Sequence, residues 1–442
     1  MSLERCTVTK FGGTSLASAG QFRKVKTIIE ADASRRYVVP SAPGKRFAGD
    51  RKVTDLLIDL YETVESGQPA AEKLSAVKGR FEEIRKELGL QDKCDLETEF
   101  TIFESRLANA PSRDYVVSRG EYFNALLLAA YLDVPFIDAA EVIFFDAEGG
   151  LESELTNRVL SRRLARLNRA VIPGFYGSMP DGTLKTFSRG GSDITGSLVA
   201  RAANADLYEN WTDVSGFLAA DPRVVDGPRF IETITYRELR ELSYMGASVL
   251  HEDATFPVKW ANIPIRICNT EHPEERGTAI VPAREETTSG SRLIGIAGRD
   301  DLCVVHIEKD RMDAIVGYAE AVMHALASQG IAFHHLPAEI DALDVILTES
   351  ELNGKEEALM KALAEQASPD RIRTERGLAL FAAVGTGLPE DPSFASGVFA
   401  ALSEADIPVR MISNGYRGTN LIIGVPKERL KDAVRAVYGA CS

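Results

Sequence analysis

Three short clusters combine glycines, hydroxyls and charged side chains, and each has the composition of an anion site. In the first, Lys10-Phe11-Gly12-Gly13-Thr14-Ser15, a cation stands at the end of a strand-like run. Two residues without side chains then let backbone N–H groups approach an anion, and a helix start follows. A tight turn beside a surface lysine has the same local signature. The chain contains no Gly-x-x-x-x-Gly-Lys-Ser/Thr run, and Gly44-Lys45 is followed by arginine, which excludes a P-loop kinase.

The second cluster, Thr186-Phe187-Ser188-Arg189-Gly190-Gly191-Ser192-Asp193, runs into a helix expected over 194–203. Ser192 or Asp193 suffices as a cap for that helix. Capping needs no guanidinium, however, and Arg189 beside exposed amides suits bidentate binding of a carboxylate. The third cluster spans 210–223 and contains Asn210-Trp211-Thr212-Asp213 and Asp221-Pro222-Arg223. It follows a strand expected over 207–209, and open α/β sheets bind ligands beyond their strand C-termini. Asp221-Pro222-Arg223 also reads as an ordinary turn, and Trp211 as core packing.

These clusters need a frame. Residues 6–11 read as a strand, and Phe22, Val25, Ile28 and Ile29 then recur at helical spacing. A second strand at 37–40 leads through a Pro/Gly/Lys-rich loop (42–52) into a helix over 53–65. Two charged helical patterns fill 70–109, and 119–132 predicts a more apolar, buried helix. Short strand-like runs follow at 136–137, 142–145, 170–172, 207–211 and 263–267. The alternation predicts an α/β fold with a largely parallel sheet sandwiched by helices.

A polar stretch at 284–291 reads as a linker. Beyond it, strands at 302–307, 331–336 and 344–347 alternate with helices at 317–328 and 355–366. Strands at 378–384, 409–412 and 420–425 then alternate with helices at 394–405 and 427–438. Two tandem βαββαβ units are the economical reading. The expected domains are 1–285 and 292–442, the latter divided at about 308–373 and 374–442. The second half is completed by a strand within 293–307.

At 442 residues the chain is long enough for two to four compact units. A net charge of −14 with no basic stripe argues against nucleic-acid binding. Its apolar runs fall well short of the ~20 residues that cross a bilayer, and no leader precedes the first strand, so a cytoplasmic protein is expected. Five scattered cysteines without a CxxC pair argue against a disulfide framework or a zinc site.

Taken together, the three clusters resemble those of aspartokinases within the amino-acid-kinase superfamily, in the same order. Further matches are Ser41-Ala42, Ser118-Arg119-Gly120-Glu121 opening a helix, Pro173-Gly174-Phe175-Tyr176-Gly177, and Gly246-Ala247-Ser248-Val249-Leu250-His251. The tail resembles paired ferredoxin-like ACT domains, with Val384-Gly385-Thr386-Gly387 and Met411-Ile412-Ser413 at the corresponding places. The resemblance covers nearly the whole chain. It implies transfer of the ATP γ-phosphoryl group to the β-carboxylate of L-aspartate, the first step toward lysine, threonine and methionine, with feedback through the ACT domains. Lys10, Gly12, Gly13 and Ser15 would hold the phosphates, and Thr212, Asp213 and Arg223 the rest of the nucleotide. Ser41, Thr54, Glu121, Phe175, Arg189 and Ser192 would contact the substrate, with Glu121 on its amino group and Arg189 on its α-carboxylate. Asp193 joins the catalytic set. Mg²⁺ would ride on the phosphates and water, with no protein metal cage, and a homodimer or dimer of dimers through the ACT domains is implied.

The acceptor fixes the chemistry: an aspartate β-carboxylate has a pKa near 4, is ionised at neutral pH, and needs no base. Charge neutralisation is the catalytic demand. His251 is therefore expected to be structural. Departures from the family pattern are Ser248 at the place of a phosphate-binding lysine and Leu218 at that of a tyrosine. Lys45 or Lys185 is the expected substitute cation. The first ACT unit keeps Met312 and Gly317 at effector positions, with His334 where aspartate is common, and in the last unit Gly415 to Asn420 replaces a Ser-Ser-Glu stretch, so lysine and threonine both stay open as effector. Alternatives are a kinase of another small carboxylate such as glutamate, a regulatory paralogue without turnover, and ACT domains serving only as a dimer interface.

Overall fold

The computed structural model describes residues 5–109, 111–188, 190–247, 250, 252–283, 293–385, 392–414 and 419–441. The chain divides into two compact units. The first comprises Met1–Phe217, Glu232–Tyr236 and Val249–Glu285, the second Leu218–Ile231, Arg237–Ser248 and Glu286–Ser442.

Strands in chain order are β1 (Thr7–Phe11), β2 (Arg35–Pro40), β3 (Ala170–Val171), β4 (Tyr176–Ser178), β5 (Leu184–Thr186) and β6 (Leu207–Thr212). They continue with β7 (Phe217–Leu218), β8 (Phe230–Ile231), β9 (Thr233–Thr235), β10 (Ile265–Asn269) and β11 (Thr278–Val281). Helices over the same span are α1 (Ala19–Glu30), α2 (Val53–Glu65), α3 (Ala71–Glu87), α4 (Leu96–Leu107) and α5 (Arg113–Leu132). After them come α6 (Ser153–Leu164), α7 (Gly191–Ala202), α8 (Tyr236–Tyr244) and α9 (Phe256–Trp260).

The first unit is built on a sheet of order β3-β2-β1-β6-β10-β11-β9, parallel except where β11 meets β10. All five residues of β1 are buried, as a central parallel strand requires. Ser18 caps α1, which buries Phe22, Val25, Ile28 and Ile29 as their spacing predicts.

Two expectations change here. The helix expected from 119 begins at Arg113, capped by Ser112, so Ser118 to Glu121 lie in its second and third turns and do not open it. Polar Arg113 and Asp114 hide the first turn from an apolar-pattern reading. The strand-like runs at 136–137 and 142–145 form only isolated bridges, from Phe136, Phe144 and Phe145, because a 3₁₀ turn at Ala139–Glu141, capped by Asp138, bends the chain between them.

The second unit contains β12 (Leu293–Glu308), β13 (Ala342–Thr348), β14 (Arg371–Gly385), β15 (Met411–Asn414) and β16 (Asn420–Pro426). They form one antiparallel sheet of order β13-β12-β14-β16-β15. Its helices are α10 (Tyr318–Ser328), α11 (Glu349–Leu352), α12 (Glu356–Ala367), α13 (Pro392–Glu404) and α14 (Leu430–Cys441). One core joins Val322, Leu326, Leu359 and Leu363 to Cys303, Val305 and Ile307. The other joins Val398, Leu402, Val434 and Val437 to Leu293, Ile296 and Phe381. The two βαββαβ repeats are thus merged: β12 and β14 run through both, interrupted where the register slips between Arg299 and Leu302. The strand expected at 331–336 is replaced by irregular pairing in which His334 and His335 both donate to the Ile346 carbonyl. Pro337 follows and has no N–H to continue a ladder.

Candidate active site

Parallel pairing ends β2, β1, β6 and β10 together: Phe11 lies beside Pro40 and Trp211, and Trp211 beside Cys268. The same register sets Lys10 next to Asn210. Lys10 is 8% exposed, and its Nζ lies 2.6 Å from Asp193 Oδ1 and 3.5 Å from Asn210 Oδ1. Asn210 Nδ2 donates to Asp193 Oδ1 at 2.9 Å. Asp193 comes from the first turn of α7, whose entry requires Gly190 at φ +59°. Free amides at a helix start and a buried cation therefore meet beside the sheet's end.

The Gly12-Gly13 turn is held on both sides. Gly12 N–H donates to the Trp211 carbonyl, and Gly44 N–H donates to the Gly13 carbonyl at 2.7 Å. A Cβ on Gly13 would lie 2.8 Å from the Ala42 carbonyl oxygen, and one on Gly44 only 2.6 Å from Gly13 C. Two loops thus touch backbone to backbone. Ser15 Oγ and Thr270 Oγ1 are 2.7 Å apart. From α3, buried Arg80 donates to the carbonyls of Gly44 and Arg51, each at 2.8 Å, and fastens the 42–52 loop. Arg46 pairs with Asp50 in the same loop at 2.8 Å and holds that carboxyl well below the usual range.

Glu121 is 5% exposed, and its Oε2 has no hydrogen-bond partner. Burial pushes its carboxyl up to about 8, against the opposing pull of the Ala42 N–H. One turn on, Asn124 Nδ2 donates to the Ser41 carbonyl at 2.6 Å, and Ser41 N–H donates to the Phe11 carbonyl. Thr54 lies half-buried in the first turn of α2. Phe175 adopts φ +81°, an uncommon conformation for an aromatic residue, with its N–H donated to Thr195 Oγ1 at 3.1 Å. Its loop presses on α7: a Cβ on Gly174 would lie 2.6 Å from the Ser192 Cβ. Thr212 and exposed Asp213 end β6 and bond each other at 3.2 Å. Trp211 is buried and stacks on Phe11 at 5.9 Å, a core residue.

Lys10, Gly12, Gly13, Ser15, Ser41, Thr212 and Asp213 therefore lie on adjoining strand ends, with Glu121, Ser192 and Asp193 on helices bonded to them. Arg223 belongs to the second unit, where it is highly exposed and closes its own turn on Asp221 at 2.7 Å. Leu218 is an exposed residue of the same unit. Also in that unit, Met312 opens a 3₁₀ turn and Gly317, at φ +84°, precedes α10. His334 Nε2 lies 2.9 Å from Arg299 Nη1, and its carbonyl accepts from Tyr244 Oη. Lys185 lies 3.8 Å from Asp114, whereas Lys45 is exposed beside Gly44. Arg189, Ser248, His251, Thr386-Gly387 and residues 415–418 lie outside the described residues.

Sequence reasoning placed Asn210 in the third cluster without a role and missed three contributors. Thr270 could have been found from its place at a strand end, but Arg80 resembles a surface charge and Asn124 an ordinary helix polar residue.

Sheet, helix start and glycine turn define an amino acid kinase: the model of the amino acid kinase family matches residues 5–269, and an ACT-domain model matches 381–440. The chain is 37% identical to aspartokinase 3 of Bacillus subtilis over 98% of this chain and 97% of that one. Its fold superposes on the aspartate kinase of Clostridium acetobutylicum with a TM-score of 0.89 at 43% identity, covering 99% and 100% of the two chains. Escherichia coli aspartokinase III, solved with aspartate and ADP, gives 0.76 at 27% identity, with 99% of each chain covered. The same E. coli enzyme has been solved with lysine and aspartate in a T-state (TM-score 0.73, 29% identity, 99% of each chain). The chain belongs to the aspartokinase family.

Proposed function

We propose that the first unit transfers the γ-phosphoryl group of ATP to the β-carboxylate of L-aspartate, giving 4-phospho-L-aspartate. The observation that carries this reading is the buried Lys10, shared between Asp193 and Asn210 beside the glycine turn, with the Glu121 carboxyl, whose Oε2 has no partner, nearby in the same unit. Lys10 and the N–H of Gly13 neutralise phosphate oxygens, while Gly12, its own N–H held by the Trp211 carbonyl, leaves room for close approach and Ser15 lies alongside. Asp193 and Asn210 aim Lys10. Thr212 and Asp213 are assigned to the nucleotide. Mg²⁺ carried on its phosphates supplies further positive charge.

On the acceptor side, Glu121 takes the substrate ammonium and Arg189 its α-carboxylate, while Ser41, Thr54, Phe175 and Ser192 line the remainder. An empty site keeps Glu121 protonated near neutrality because burial penalises its charge, and the ammonium ion restores the ionised form. The attacking carboxylate is already an anion, so the chain's task is orientation and charge cancellation.

Residues 1–285 form the catalytic domain and 292–442 the regulatory region, with ACT repeats near 308–373 and 374–442, the second completed by 293–307. An amino acid, lysine by analogy with the E. coli relative, binds there near Met312, Gly317 and His334. The chain acts as a cytoplasmic homodimer or dimer of dimers through these repeats. A hydroxamate assay for acyl phosphate, with ATP, Mg²⁺ and L-aspartate and then with L-glutamate, tests the reading. Product with aspartate, suppressed by lysine, supports it. No acyl phosphate with aspartate overturns it.

A further inference from the structure

A cavity of about 720 Å³ opens in the first unit on another side of α5, within the range of small-molecule sites. Arg119 lines it, two residues before Glu121 and so about 200° around the helix axis from it. The cavity is thereby separated from the strand-end site by the helix itself.

Arg119 is 6% exposed, and its guanidinium is boxed by three tyrosine rings, Tyr122 at 4.2 Å, Tyr115 at 4.9 Å and Tyr176 at 5.2 Å. Among the described residues its hydrogen-bond acceptor is the neighbouring Ser118 Oγ alone, and no carboxylate lies within ion-pair distance. Ring faces offset part of the cost of burying a guanidinium, but they accept none of its N–H donors. Arg106 of α4 stacks on Tyr115 at 5.0 Å and lines the same cavity, with no carboxylate partner among the described residues. The cavity's own carboxylates are turned to tyrosine hydroxyls and not to the guanidiniums: Glu99 accepts from Tyr122 Oη at 3.0 Å, and Asp138 from Tyr176 Oη at 2.6 Å. Ile102, Phe103 and Leu184 supply apolar wall. Two guanidiniums without a carboxylate partner above an apolar wall suit an anion at one end and hydrocarbon at the other.

We propose that this cavity binds a small organic carboxylate with an apolar body, held by Arg119 and Arg106 and independent of turnover at the strand-end site. Isothermal titration of the full chain with 3-phenylpropionate tests it, with the uncharged 3-phenylpropanamide as control. The acid binds with a Kd of about 0.1–1 mM and the amide at least about tenfold more weakly. Saturating aspartate and ADP do not displace it. Arg119→Lys, at the buried position, and Arg106→Ala, at the exposed one, each weaken the acid about tenfold, and Arg106→Ala does so with an unchanged melting temperature. Equal binding of acid and amide, displacement by aspartate and ADP, no saturation by about 10 mM, or wild-type affinity in both variants would each overturn the assignment.

Discussion

Lys10 and Asp193, distant in sequence, form a largely buried ion pair at 2.6 Å, with Asn210 bonded to both. The cation is therefore fixed in direction before any nucleotide arrives. Lys10→Met should lower kcat by about 10²–10³ with the fold intact, because a preorganised charge facing developing negative charge is lost. Asp193→Asn keeps the volume but frees Lys10, and a smaller loss in kcat is expected. Hydroxamate kinetics on both variants decide the order; equal activity of Lys10→Met and the wild type would refute the role.

Glu121 titrates near 8 in the folded chain against an ordinary 4.5. Folding then takes up a proton between those values, so this residue makes stability fall as pH rises from about 4.5 to 8. Glu121→Gln should flatten that part of the denaturation profile. It should also raise the KM for aspartate, and aspartate binding to the wild type at pH 7 should release up to about one proton, read by calorimetry in buffers of different ionisation enthalpy. An unchanged pH profile in Glu121→Gln would show that the carboxyl is already ionised.

Backbone contact between Gly13 and Gly44 leaves no room for a methyl group. Gly44→Ala should destabilise the chain by about 1–3 kcal/mol and raise the KM for ATP, since the phosphate-facing turn must shift. Thermal melting and initial rates check both; a normal KM would disconnect the 42–52 loop from the nucleotide.

Of the two lysines that could replace a cation at Ser248, Lys185 is engaged with Asp114, whereas Lys45 is exposed next to Gly44. Lys45→Met should raise the KM for ATP about three- to tenfold, and Lys185→Met should leave it unchanged. The reverse order would assign the charge to the β5 strand.

Much of the site was legible because glycine turns and strand ends announce themselves: Lys10-Phe11-Gly12-Gly13 and Thr212-Asp213 stand where the parallel sheet stops. Residues whose partners are backbone carbonyls were not legible. Arg80 lies between the apolar positions Val77, Phe81 and Ile84 and gives no hint that it fastens a loop 29 to 36 residues away. The start of α5 was hidden by a polar first turn, and the break after 334–335 follows from Pro337, a local signal that the alternating apolar pattern masked.

Because β12 and β14 each pass through both ACT repeats, neither repeat owns a complete set of strands. Removing one would strip two strands from the other, so the pair should survive proteolysis or be lost as a single body. The backbone that packs under α10 continues without a break into the sheet beneath α14, with register slips at Leu293–Gly295 and from Arg299 to Cys303 along the way.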